Sequence, residues 1–245
     1  MSQPIGLFAV GILIAARGKG APDLGRLLPA AAGGLAGIAA LTAFYRALAI
    51  GTMSIVAPIA ATGVVLPVAV GVAGGDRPAV VQVVGIIAAT AGVVLASREV
   101  AAEGEARRIS RLSVLLALVA ALGFGSFAVG LRPSARADVL WALLSARISA
   151  VALVAAAFAV RRPRMRGGRS LILPLAATGI LDVSANGLYA VATRHGLLSI
   201  VAVASSLYPL VTVLLARVVL GEQVRRIQEL GIAAAVAGIV LIAAG

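Results

Sequence analysis

Cysteine is absent from the 245 residues, which excludes disulfides, thiolate metal sites and a cysteine nucleophile. The one histidine, His195, has no acidic cluster beside it, so a metal site is not expected. Charge is scarce as well. Asp, Glu, Lys and Arg make up 12% of the chain and only nine residues are acidic, whereas soluble domains carry about 25% charged residues. Aromatics are 4% and no basic helix is interleaved with them, so the formal charge of +12 does not read as a nucleic-acid footprint. No glycine-rich loop carries the Lys-Ser/Thr of a phosphate cradle, and ATP-driven work within the chain is unsupported. Neither a nucleophile with its base nor two intramembrane carboxylates can be assembled. An enzyme is therefore not expected, and no cofactor is implied.

What is present is apolar. Hydrophobic residues are 61% of the chain, with a mean hydropathy of +1.09. Crossing a bilayer takes about 20 such residues as a helix, and the chain offers spans at 3–16, 27–49, 54–74, 78–97, 112–131, 138–160, 171–193, 197–219 and 226–244. These runs are apolar all round, unlike the alternating strands of a membrane barrel. The expected fold is an all-α polytopic membrane protein. Its first apolar stretch is short, and Met1-Ser2-Gln3 gives no basic start for a signal peptide; truncation at the start is the expectation there. The basic residues border the spans, where they meet lipid headgroups.

The two halves repeat each other. Phe44-Tyr45-Arg46-Ala47 matches Leu188-Tyr189-Ala190-Val191 at an offset of 144, and Ser54-Ile55-Val56-Ala57 matches Ser199-Ile200-Val201-Ala202 at 145. Gly75-Asp76, Gln82, Gly85-Ile86 and Ala91-Gly92 recur as Gly221-Glu222, Gln228, Gly231-Ile232 and Ala237-Gly238, all at 146. Tyr45 lies in the second span and Tyr189 in the seventh. The odd separation makes the copies enter the membrane from opposite sides. Inverted repeats of this kind are the plan of many secondary transporters, whose halves exchange inward-open and outward-open states.

At these positions the chain resembles the EamA-type transporters of the drug/metabolite transporter superfamily. The resemblance is carried by Phe44-Tyr45-Arg46-Ala47-Leu48-Ala49-Ile50-Gly51 leading into Val56-Ala57-Pro58. In the second half it is carried by Ser206-Leu207-Tyr208-Pro209-Leu210, Leu220-Gly221-Glu222 and Gln228-Glu229-Leu230-Gly231. Asp76 stands where the family usually has Glu. The resemblance implies a ten-span plan of two five-span repeats, of which about nine spans are present here. Residues 1–97 form the first, N-terminally incomplete repeat, 98–111 a polar linker and 112–245 the second repeat.

Eight of the acids sit in loops or near span ends; Asp182 alone falls mid-span. A charge at that depth costs at least about 2.5–3.5 kcal/mol on the insertion scale, so it faces a partner or a wet cavity. Asp182, Asn186 and Tyr189 share one helical stripe at i, i+4 and i+7. The stripe reads either as a substrate or proton site or as a clamp between helices. Arg147, near mid-span in the preceding segment, is the natural partner for Asp182, unless it snorkels to headgroups. Tyr45 and Tyr189, equivalent in the repeat, read as cavity-lining or as interfacial anchors. Tyr208, beside Pro209, falls in a proline-interrupted span of the sort that marks binding sites in transporters.

The function expected is a secondary carrier, an exporter of a small metabolite, amino acid or drug-like solute, with protons as candidate coupling ion. Alternatives are a lipid-linked sugar or phospholipid translocator, or a non-transporting scaffold if the chain is truncated. The expected setting is the cell membrane, as monomer or homodimer. Orientation is contested: loops on the Met1 side hold twelve basic residues and the opposite loops seven. The excess-basic rule puts the twelve in the cytoplasm, whereas the topology implied by the resemblance puts the seven there, a reading preferred because 12 to 7 is a modest bias.

Overall fold

A computed structural model describes residues 2–51, 53–96, 111–161, 172–207 and 226–244. Within them the regular structure is helical: α1 (Ser2–Arg17), α2 (Leu24–Ile50), α3 (Met53–Ala61), α4 (Val65–Ala73), α5 (Val80–Ala96), α6 (Arg111–Ala137), α7 (Val139–Arg161), α8 (Ile172–His195), α9 (Leu198–Ser205) and α10 (Arg226–Ala244). Among the described residues, five segments are long and apolar enough to cross a membrane: Leu24–Ile50, Ile55–Ala73, Arg111–Ala137, Val139–Val160 and Leu173–His195. The distribution of side chains agrees with lipid as the solvent. Buried positions are mostly alanine, as at Ala30, Ala40, Ala89, Ala120 and Ala190, while Leu24, Val80, Val160 and Leu188 point outward at 72–84% exposure. Small residues inside and large apolar ones outside is how helices associate when water offers no hydrophobic drive. The chain is a polytopic helical membrane protein.

The expected span 54–74 is divided. A 3-10 turn over Thr62–Val64 separates α3 from α4. Pro67 has no N–H to give the Gly63 carbonyl four residues back, so the α-helical ladder breaks there. The Thr62 hydroxyl donates to the Ile59 carbonyl at 2.6 Å. At the other extreme, α6 runs on to Ala137, past the expected end at 131.

The helices group into two compact units that alternate along the sequence, Met1–Ile38 with Ser126–His195, and Ala39–Gly125 with Gly196–Gly245. In the first unit α2 is stitched to α7. Ser145 and Ser149, one turn apart, donate to the Leu27 and Ala31 carbonyls at 3.1 and 2.8 Å. Gly34 makes the approach possible, since a Cβ there would stand 2.1 Å from the Ala146 carbonyl oxygen. Pro29 lies inside α2 and has no N–H to donate, and the neighbouring Ala30 N–H donates to Ser134 Oγ at 3.0 Å.

In the second unit α5 packs against α10 through glycines. A Cβ on Gly85 would lie 2.7 Å from the Gly238 carbonyl oxygen and 2.9 Å from Ile242 N. One on Gly92 would lie 2.4 Å from Ala235 N and 2.6 Å from the Gly231 oxygen. The indices fall on one helix as they rise on the other, so the pair is antiparallel. With the sequence offset of 146, Gly85 corresponds to Gly231 and Gly92 to Gly238. Exchanging the copies turns the Gly85–Gly238 contact into Gly92–Gly231, and Gly92–Ala235 into Gly238–Ala89; both are present. Two antiparallel helices exchanged this way share a local two-fold axis perpendicular to them. Contact by contact, this antiparallel pair is symmetric under exchange of the two segments.

The turn into α5 explains two motif residues. Gly75 adopts a φ of 100°, a left-handed conformation natural to glycine. Gln82 Oε1 accepts the Ala79 N–H at 2.9 Å, reaching back across the first turn as in half a capping box. Asp76, read from sequence as a loop acid, is buried at 7% exposure. Its Oδ2 accepts both Ser199 N–H at 3.0 Å and Ser199 Oγ–H at 3.2 Å, closing the N-terminus of α9 from another segment, where a negative charge is favoured. Gly71 leaves the space: a Cβ there would be 2.5 Å from Asp76 Oδ2.

Candidate functional site

The first unit holds the candidate site, and its construction starts at the beginning of α7. Asp138 caps that helix, its Oδ1 accepting Leu140 N–H at 3.0 Å and Trp141 N–H at 3.2 Å, which satisfies two donors that have no intrahelical partner. Its other oxygen, Oδ2, meets Arg17 Nη1 at 3.0 Å and Lys19 Nζ at 3.7 Å. The indole Nε1–H of Trp141 donates to the Lys19 carbonyl at 3.4 Å. The last turn of α1 and the first of α7 are thereby held at one level. Nine residues further along α7, about 13 Å deeper at 1.5 Å per residue, comes Arg147.

Helix α8 returns antiparallel to α7: Gly187 faces Leu143, and Asp182 faces Arg147. The Arg147 Nη2 and Asp182 Oδ2 atoms are in direct contact as an ion pair. The arginine side chain is 8% exposed and the aspartate 44%, so the cation is enclosed and the anion half open. Asp182 Oδ1 is occupied too, accepting Asn186 Nδ2–H at 3.2 Å from one turn along. Of the two expectations for Arg147, pairing or snorkelling, the structure has the pair. One turn beyond Asn186, Tyr189 is buried; its hydroxyl leaves the stripe and donates to the Ala128 carbonyl of α6 at 3.2 Å.

Helix α1 lies along this pair. A Cβ on Gly6 would meet Val183 Cγ2 at 2.6 Å, the Gly179 oxygen at 3.4 Å and Arg147 Cζ at 3.9 Å. Gly6 thus lets α1 close over the guanidinium and onto α8. Sequence reasoning passed over it, because a glycine in an apolar run looks like ordinary close packing.

The other expected site residues are elsewhere. Tyr45 belongs to the second unit and is 62% exposed, its ring tilted against Phe44 at a centroid distance of 6.1 Å. Its repeat mate Tyr189 is buried, so the shared motif position does not give the two rings a shared environment. Tyr208 lies outside the described residues. Among the described residues no cluster of three His, Cys, Asp or Glu side chains could hold a metal. A cavity of about 590 Å³ opens in the second unit, lined by apolar residues of α4 and α5 including Val65, Val68, Ile86 and Leu95. Among the described residues, none of the expected site residues lines it.

The family model for EamA-like transporters matches residues 111–244, more than half of the chain. The chain belongs to the EamA-like transporter family. The helices that bring Arg147 and Asp182 together, α7 and α8, fall inside the matched segment. A crystal structure of a protein of 20% sequence identity has a TM-score of 0.79 and aligns over 98% of this chain and 85% of its own, a likeness that speaks to the fold. No curated protein matches. An EamA-like chain is a membrane transporter of the drug/metabolite type, and its family is not one of enzymes.

Proposed function

We propose that this protein is a secondary carrier of the cell membrane that moves a small metabolite, amino acid or drug-like solute, chiefly outward, by alternating access. The observation that carries the reading is the ion pair of Arg147 and Asp182, with Asn186, set on the membrane-crossing helices of a transporter-family chain. Charged groups at that depth are costly and mark a substrate or ion pathway by default. The antiparallel α5–α10 contact supports the mechanism, because copies related by an axis in the membrane plane can trade conformations. The side holding twelve basic loop residues is taken as external.

The test is efflux from proteoliposomes loaded with a ¹³C-labelled cell extract, read by mass spectrometry. Solutes leaving faster than from protein-free vesicles support a carrier; no such solute refutes it. Protons are the candidate coupling ion, with Asp182 as their site. If Asp182→Asn leaves efflux and its pH dependence unchanged, that coupling is abandoned. A second reading, a lipid-linked sugar or phospholipid translocator, is favoured by the open apolar groove of α4 and α5, which suits an acyl chain. Fluorescent-lipid scrambling in the same vesicles decides between the two.

A further inference from the structure

We propose that the corner where α1 meets α7, built from Arg17, Lys19 and Trp141, holds one anionic phospholipid by its phosphate. The proposal is independent of what the protein carries. Charge balance supplies the first argument. Asp138 is buried and gives Oδ1 to two backbone amides of α7, so only Oδ2 faces the cations. One carboxylate therefore meets two basic side chains, which leaves the corner net positive. Arg17 spends one of its five N–H donors on that oxygen, at 3.0 Å. Lys19 Nζ at 3.7 Å is near enough for attraction but too far for a hydrogen bond, so its three donors are left for a ligand. Both side chains stay open to the outside, Arg17 at 46% exposure and Lys19 at 61%.

The backbone beneath these cations is already fixed. Gly18 N–H donates to the Ile14 carbonyl at 3.1 Å, and Gly18 itself turns left-handed at a φ of 64°, ending α1 as a glycine cap does. The Lys19 carbonyl then accepts the Trp141 indole N–H at 3.4 Å. A ligand has only side-chain freedom to freeze, which keeps the cost of binding low. The depth suits a lipid. The segment Val139–Val160 is long and apolar enough to cross a membrane, so the first turn of α7 stands at its border, the level at which tryptophan meets headgroups. Below each polar anchor, on the same helix face, a large apolar side chain is exposed. Leu13 lies one turn, about 6 Å, below Arg17, and Ile148 two turns, about 10 Å, below Trp141. A free phosphate has no use for that apolar footing, whereas an acyl chain hanging from the headgroup covers it. Arginine as a fork and lysine as a point charge together match the phosphate itself.

Trp141 is the chain's one tryptophan, so brominated lipids, which quench indole on contact, report on this corner alone. The test places the full chain in mixed bilayers of phosphatidylglycerol and phosphatidylcholine, with one or the other lipid brominated in the upper part of its acyl chains. The two quenching curves give the relative affinity of the lipids at Trp141. The wild type should prefer phosphatidylglycerol at least about fivefold, the ratio that one basic residue contributes near an anionic surface. Lys19→Gln should bring the ratio toward unity; its carbonyl and the indole bond stay, and an unshifted emission maximum without bromine checks that they do. Asp138→Asn, which keeps a capping oxygen for α7 but removes the competing charge, should raise the ratio above that of the wild type. Arg111→Gln, the same loss of charge at the opposite end of α6 from Asp138, should leave it unchanged. Should Asp138→Asn fail to fold, the other two variants decide. A wild-type ratio near unity overturns the site. So does an equal fall in Lys19→Gln and Arg111→Gln, which would mean attraction by the surface as a whole. Loss of the preference on adding millimolar inorganic phosphate, with ionic strength held by chloride, would assign the corner to a free ion and overturn the lipid.

Discussion

Replacing Gly92 by alanine should loosen the seam between α5 and α10 in a way the structure lets one size. The new Cβ would sit 2.4 Å from Ala235 N and 2.6 Å from the Gly231 carbonyl oxygen, against an ordinary contact of 3.4 Å or more. Both obstacles are backbone atoms, which cannot rotate away, so the helices must part by about 1 Å along this line. Overpacking of a fitted contact costs about 1–3 kcal/mol, and alanine returns up to about 1 kcal/mol of helix propensity. Against a control substitution that gains the same propensity, the expected loss is therefore about 1–3 kcal/mol, read as a lower midpoint in reversible SDS unfolding of the purified protein. Gly238→Ala should cost a similar amount, because its Cβ would meet Ala89 N at 2.5 Å and the Gly85 oxygen at 2.7 Å. Gly92 and Gly231 face each other, so the double variant should cost less than the sum, the first substitution having already opened the gap. Gly11→Ala is the control: nothing lies within 4 Å of a Cβ there, and the midpoint should hold or rise. A midpoint for Gly92→Ala that matches the Gly11→Ala control would refute the close antiparallel packing, and with it the two-fold relation read from these contacts.

Three further outcomes are expected. Asp76→Ala should remove the acceptor for both Ser199 donors and cost about 1–3 kcal/mol, with faster amide exchange at Ser199; Asp76→Asn, which keeps one oxygen, should cost less. Tyr189→Phe should lose about 1 kcal/mol with the bond to Ala128, whereas Tyr45→Phe should not shift the thermal midpoint, its ring being exposed. Asp138→Ala should free the first turn of α7 and change the emission of Trp141, the chain's one tryptophan; an unaltered spectrum would mean that the cap does not order the indole.

Much of the fold was legible in the sequence because lipid imposes long runs that are apolar all round, and a repeat offset of 146 survives in glycines whose spacing the α5–α10 contact requires. Arg147 and Asp182 could be matched because depth along two antiparallel helices follows from residue count alone. Burial and direction were less accessible. Tyr45 and Tyr189 occupy equivalent motif positions, yet which way a ring points depends on what packs beside its own helix, and the repeat does not encode that. Asp76 looked solvated because a Gly-Gly-Asp turn normally is; its burial depends on the start of α9, more than a hundred residues away. The break at Thr62–Val64 lies between Pro58 and Pro67, but a proline in a membrane helix states only that a hydrogen bond is lost, not whether the helix bends or divides.

The pairing of Arg147 with Asp182 also sets an order of events in biosynthesis. The arginine precedes its partner by 35 residues, so α7 is complete before the aspartate exists. At a synthesis rate of about 5–20 residues per second, the cation waits about 2–7 s for its counter-charge. During that interval the rest of α7, with a hydropathy of 2.1 over Val139–Val160, must outweigh a cost of about 2.5–3.5 kcal/mol for a lone arginine at mid-helix. Helices α7 and α8 therefore enter the bilayer most favourably as one hairpin. Substituting Asp182 alone should lower the yield of inserted protein, as well as altering the site in molecules that do insert.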